Sequence, residues 1–290
     1  MLVFVNHIHN LGNPLEKKLH TYARINKINA SITENKNLEA AIKLHCDSIF
    51  HEFRQRKLFY KFIFSNNRFI ISTITASVFY SREEAFFSDV THECLKTGLV
   101  SPNTVSSLLT LFKVSGRISV VASQRDLRKK KYLMTKKGTN DILVLLNTMT
   151  PSLQLLFSEP ECSVLLNDRK LPEFFQQYSK IHDSSIFIVN LVKDIEVFIS
   201  KDSGHMILVT LYLLGLNNKS TNETLSSIAK TCGVSRTHLR NIVTEAESRR
   251  LLCFDREKNK IYMHNGFLDM FRNYMSFYFS FIKFGLEGIG

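Results

Sequence analysis

Lys96-Thr97-Gly98-Leu99-Val100-Ser101 and Lys230-Thr231-Cys232-Gly233-Val234-Ser235 stand 134 residues apart and share Lys, Thr, Val and Ser at matching places. The apolar residues after them keep the same register: Val105, Leu108, Leu109 and Phe112 correspond to Leu239, Ile242, Val243 and Ala246. Each set is an i, i+3, i+4, i+7 stripe, the buried face of one amphipathic helix. Ser101 and Ser235 both suit the position that caps a helix N-terminus, and Pro102 suits the first helical residue.

Outward from these helices the two halves stay parallel. Shorter amphipathic segments precede them at residues 88–96 and 223–230, and alternating, β-favouring residues come after. Further upstream, residues 69–79 and 206–216 are apolar enough for buried helices, while 38–64 and 174–199 read as long helices. The repeating order is helix, tight turn, helix, two-stranded ribbon. The expected fold class is mainly α with small β-wings, as two tandem winged helix-turn-helix domains related by an internal repeat and joined by long helices.

The chain has 290 residues, 44% of them hydrophobic, so it can bury a core in each of two domains. Three of the five prolines, Pro151, Pro160 and Pro172, sit in an acidic middle, which places a boundary there. The expected domains are residues 1–150, with an N-terminal helix and the first winged helix, and 151–290, with a linker, a long helix, the second winged helix and a packing helix. A net charge of +12 points to a polyanion, nucleic acid or a membrane surface. That charge is uneven: residues 61–140 hold 13 Lys+Arg against 5 Asp+Glu, and residues 141–200 hold 4 against 8.

Three further pieces of the first half resemble the MarR family of bacterial transcription regulators. Thr104-Val105-Ser106 is similar to a triplet in that family's recognition helix. Asp126-Leu127-Arg128 matches the D-x-R of its wing, and Leu133-Met134-Thr135-Lys136-Lys137-Gly138 resembles the L-T-x-K-G that closes it. The second half keeps the helix-turn-helix but has a shorter wing, Cys253 to Met263, without the D-x-R. The resemblance implies double-stranded DNA as partner and a small apolar effector between the long helices and the DNA-binding lobes. Because family members are homodimers, it also implies either a monomeric pseudo-dimer fused into one chain or a homodimer.

A recognition helix buries one face and points short polar or cationic side chains near its N-terminus into the major groove. The first helix offers Asn103, Thr104, Ser106, Ser107 and Thr110; the second offers Arg236, Thr237, His238, Arg240 and Asn241. Arg pairs bidentately with guanine and Asn with adenine, so the second helix is expected to read bases more sharply. Nine cations and one acid lie between Lys113 and Lys137. Of these, Arg125, Asp126, Arg128, Lys129, Lys130 and Lys131 are the expected wing contacts to phosphates and the minor groove. By resemblance, Asp126 orients a wing-tip arginine, and Arg128 or Arg125 enters the groove.

Other chemistry is not written in the sequence. A Gly-rich phosphate loop, an H-E-x-x-H, a nucleophile elbow and a carboxylate pair are all missing, so no enzyme, cofactor or metal is expected. His7 with His9, and His45 with His51, read as surface or packing residues. Five cysteines without a C-x-x-C pair, and an N-terminus without a secretory pattern, suggest a reducing cytoplasm. Phe267, Phe271, Tyr274, Tyr278 and Phe281 recur at spacings of 4, 3, 4 and 3, the seam of a packing helix rather than a membrane span. Two rival readings remain open: a plasmid or phage replication initiator with tandem winged helices, and a winged-helix protein-interaction scaffold with nonspecific DNA affinity.

Overall fold

The computed structural model describes residues 14–122, 130–159, 162, 166–216, 221 and 223–289. Described residues are mainly helical, with two small antiparallel hairpins. The first half runs α1 (Pro14–Thr33), α2 (Leu38–Gln55), α3 (Lys57–Ile63), α4 (Asn66–Ser81), α5 (Phe87–Lys96), α6 (Pro102–Val114), β1 (Ile118–Ala122), β2 (Lys130–Met134), α7 (Lys136–Asn147) and α8 (Thr150–Leu156). The second runs α9 (Leu171–Asp183), α10 (Ile188–Leu191), α11 (Glu196–Ile199), α12 (Gly204–Gly215), α13 (Leu225–Cys232), α14 (Arg236–Ser248), β3 (Leu252–Asp255), β4 (Lys260–Met263) and α15 (Asn265–Leu286).

α6 and α14 are 13 residues each, and both of their ends are 134 positions apart. The turn out of each helix repeats in atomic detail. Arg117 N–H donates to the Phe112 carbonyl at 2.8 Å, and Leu251 N–H to the Ala246 carbonyl at 3.0 Å. The residue before each donor is left-handed: Gly116 has φ +70° and Arg250 φ +58°. Each ribbon then pairs antiparallel, from Ile118 opposite Met134 to Ala122 opposite Lys130, and from Leu252 opposite Met263 to Asp255 opposite Lys260.

One apolar core runs through both halves. α4 packs on α9, and α15 packs on both α1 and α9. The aromatic stripe of α15 buries Phe267, Phe271, Tyr274 and Phe281 and half-buries Tyr278, so its partners are helices of this same chain. α1 answers with Ile25, Ile28 and Ile32, and the Arg24 guanidinium donates to the Glu287 carboxylate, Nε to Oε2 at 2.9 Å.

The two long helices expected at 38–64 and 174–199 are each broken. Arg56, at φ −133° and ψ 42°, separates α2 from α3, and its guanidinium pairs with Asp141. α9 stops at Asp183, and left-handed Ser185 (φ +55°) and Asp194 (φ +63°) divide the remaining stretch to Ile199 into single turns. Apolar residues go on facing the core after the chain changes direction, so a continuous pattern does not require a continuous helix.

Candidate nucleic-acid interface

α6 forms because its apolar stripe is paid for by full burial: Val105, Leu108, Leu109 and Phe112 all lie in the core. Ser101 caps it, its Oγ accepting from the Thr104 N–H at 3.3 Å. Asn103, Ser106, Ser107 and Thr110 are exposed on the opposite face. Thr104 is half-buried, and its hydroxyl is 2.9 Å from Ser101 Oγ, so it serves the cap.

α14 repeats the arrangement with a different outer face. Leu239, Ile242, Val243 and Ala246 are buried, and Ser235 Oγ accepts from the His238 N–H at 3.1 Å. Arg236, Thr237, Arg240 and Asn241 are exposed. His238 is half-buried with Nε2 3.2 Å from the Asp202 carbonyl, which ties the start of α14 to the loop before α12. Four exposed polar residues, two of them arginines, therefore project from the first two turns of α14, whereas the first two turns of α6 expose uncharged groups and its one exposed cation, Lys113, stands in the last turn.

Of the expected wing residues, Arg125, Asp126, Arg128 and Lys129 lie outside the described residues. Lys130 opens β2 and is exposed. Lys131 is half-buried, with Nζ 2.9 Å from Glu84 Oε1, so its charge is matched within the protein. Tyr132, next along the strand, is buried and donates to the Thr75 carbonyl at 2.7 Å, which pins the ribbon onto α4.

The base of this ribbon rests on a buried ionic cluster that sequence reading passed over. Asp141, on α7, accepts a hydrogen bond from the Arg56 guanidinium on one oxygen and forms an ion pair with Arg117, whose Nε lies 2.7 Å from the other. Arg117 lies flat on Phe59, 3.5 Å from the ring centroid. Thr135 caps α7, accepting from the Gly138 N–H at 3.1 Å, with its hydroxyl 2.8 Å from the Gly116 carbonyl. A Cβ at Gly138 would collide with the Arg117 carbonyl oxygen, so the glycine of the Thr135-Lys136-Lys137-Gly138 stretch is needed for close approach. The visible signal was that glycine at a helix start.

Cys46, Cys94, Cys162 and Cys232 are buried and Cys253 is exposed. Burial pushes the Cys94 thiol up to about 12 and the Cys232 thiol up to about 11, the reverse of what thiolate chemistry needs. Among the described residues, no group of three His, Cys, Asp or Glu could hold a metal, and no helix is long and apolar enough to cross a membrane. No family model, curated protein or solved structure matches the chain.

Proposed function

We propose that the chain is a sequence-specific, double-stranded DNA-binding transcription regulator, built as two tandem winged helix-turn-helix units of MarR type in one polypeptide. α6 and α14 are the recognition helices, and the β1–β2 and β3–β4 ribbons are the wings. The observation that carries this reading is the pair of helices held at one offset, each capped by serine and each presenting a polar face at its N-terminal end. The excess of cations around the first ribbon supports it, because phosphate contacts supply much of the affinity of such complexes.

The two outer faces differ, so the operator is expected to have two unlike half-sites about one helical turn apart. Selection of bound duplexes from a random pool at two salt concentrations, followed by stoichiometry on the winning sequence, tests this. One chain on an asymmetric site supports the reading. Enriched direct repeats would transfer it to replication initiation, and a steep salt slope with no enriched sequence would leave a scaffold with electrostatic affinity.

A further inference from the structure

An open cleft of about 540 Å³ lies where the end of α2 and the start of α3 meet α7 and the foot of the first ribbon. That volume is within the roughly 300–1,000 Å³ of small-molecule sites. Six charged side chains line it: Arg54, Arg56, Lys57, Arg117 and Lys137 against Asp141 alone. Asp47 and Glu52, the acids nearest to these in sequence on α2, line a different cleft. The lining therefore carries four uncompensated positive charges. A recess lined by one sign of charge concentrates counter-ions.

The cations are not spent on acids of the protein. Arg56 and Arg117 share the single Asp141 carboxylate. Lys137 Nζ donates to the Ser115 carbonyl at 2.9 Å, and Lys57 Nζ to the Lys230 carbonyl, bonds that orient both ammonium groups without neutralising either. Arg54 is exposed, with its guanidinium 4.4 Å from the centroid of the Phe50 ring. Lys137 is exposed as well, whereas the Arg117 side chain is only 12% exposed and forms the floor. Guanidinium forks take phosphate oxygens two at a time, and lysines add point charges.

Position separates this cleft from the proposed recognition surface. Ser115, whose carbonyl holds Lys137, caps the C-terminal end of α6, about 18 Å of helix from Asn103. A recessed cation such as Arg117 is open to a small anion and closed to the convex backbone of a duplex. We propose that the cleft binds a free oligophosphate, a chain of phosphates carrying about four negative charges to match the lining. Arg56 and Arg117 take the phosphate at the floor, and Arg54, Lys57 and Lys137 close on the outer ones. The proposal rests on this cleft alone and is independent of DNA binding.

Calorimetric titration of the full chain with sodium tripolyphosphate and with orthophosphate, at matched ionic strength, tests it. Tripolyphosphate is expected to bind once per chain, at least about tenfold more tightly than orthophosphate. Arg54→Ala combined with Lys137→Ala, both at exposed positions, is expected to weaken it at least about fivefold with an unchanged melting temperature. Lys180→Ala, at an exposed position outside the cleft, is expected to leave it unchanged. Several weak sites per chain, an affinity equal to that for orthophosphate, or a double variant no weaker than Lys180→Ala would overturn the proposal. So would a random-sequence duplex that displaces tripolyphosphate and loses as much affinity in the double variant, a result that gives the cleft to the DNA backbone.

Discussion

Arg117 Nε lies 2.7 Å from Asp141 Oδ2, with the arginine side chain 12% and the aspartate 6% exposed. This pair joins the foot of the first ribbon to α7, and Arg56 reaches the same carboxylate from the break between α2 and α3. Removing one member of such a pair leaves a buried charge without compensation, which costs more than the pair itself is worth. Asp141→Ala is therefore expected to destabilise the protein by about 3–5 kcal/mol, read as a lower urea midpoint at unchanged slope. A loss below about 1 kcal/mol would mean that water reaches Arg117.

Arg250 occupies the left-handed position that Gly116 fills in the other half. A side chain there costs about 1 kcal/mol, part of which the greater freedom of glycine in the unfolded chain offsets. Arg250→Gly is expected to stabilise the fold by a few tenths to about 1 kcal/mol, whereas Gly116→Arg destabilises it. Thermal melts of the two variants measure both signs.

Three histidines inside the core make stability depend on pH. Burial lowers His45 to about 4, His182 to about 4 and His205 to about 3, the last with help from His45 nearby. These groups are neutral in the folded protein and take up protons in the unfolded chain below about pH 6.5. Their stabilising contribution is whole above that pH and drains away as pH falls towards 4. Each group adds a slope of up to about 1.4 kcal/mol per pH unit in that window. Melting temperatures between pH 7 and pH 4.5 are expected to fall, and His45→Gln to flatten the fall.

If α14 reads bases, Arg236→Ala and Arg240→Ala each cost roughly 1–3 kcal/mol on the selected duplex and relax preference at one position. Lys130→Ala is expected to weaken all sequences alike. Lys131→Ala should matter less to binding, since its charge is already matched by Glu84. Binding isotherms on selected and random duplexes separate the three outcomes. Equal losses on both duplexes for Arg236→Ala would remove base reading from α14.

The mainly helical class, the two ribbons and the register of α6 against α14 were legible because all depend on local pattern: a serine cap, a stripe of apolar residues, an alternating run. The illegible parts depend on neighbours distant in sequence. Nothing near Lys131 announces Glu84, 47 residues earlier, and nothing near His238 announces the Asp202 carbonyl 36 residues away. The breaks at Arg56 and Ser185 were hidden for the same reason. Non-glycine residues hold unusual backbone angles only when tertiary contacts impose them, and composition carries no trace of that. The packing of α4 on α9 was foreshadowed only by the abundance of phenylalanine, which fits any core.

The clasp between α1 and α15 has a consequence for how the chain is made. Arg24 and Glu287 are 263 residues apart. At roughly 5–20 residues per second, a ribosome needs roughly 13–50 s to travel between them. Throughout that interval Ile25, Ile28 and Ile32 have no α15 to cover them. The nascent first half therefore waits with an open apolar flank, a natural target for chaperones, and its final packing is completed only after synthesis has passed Glu287.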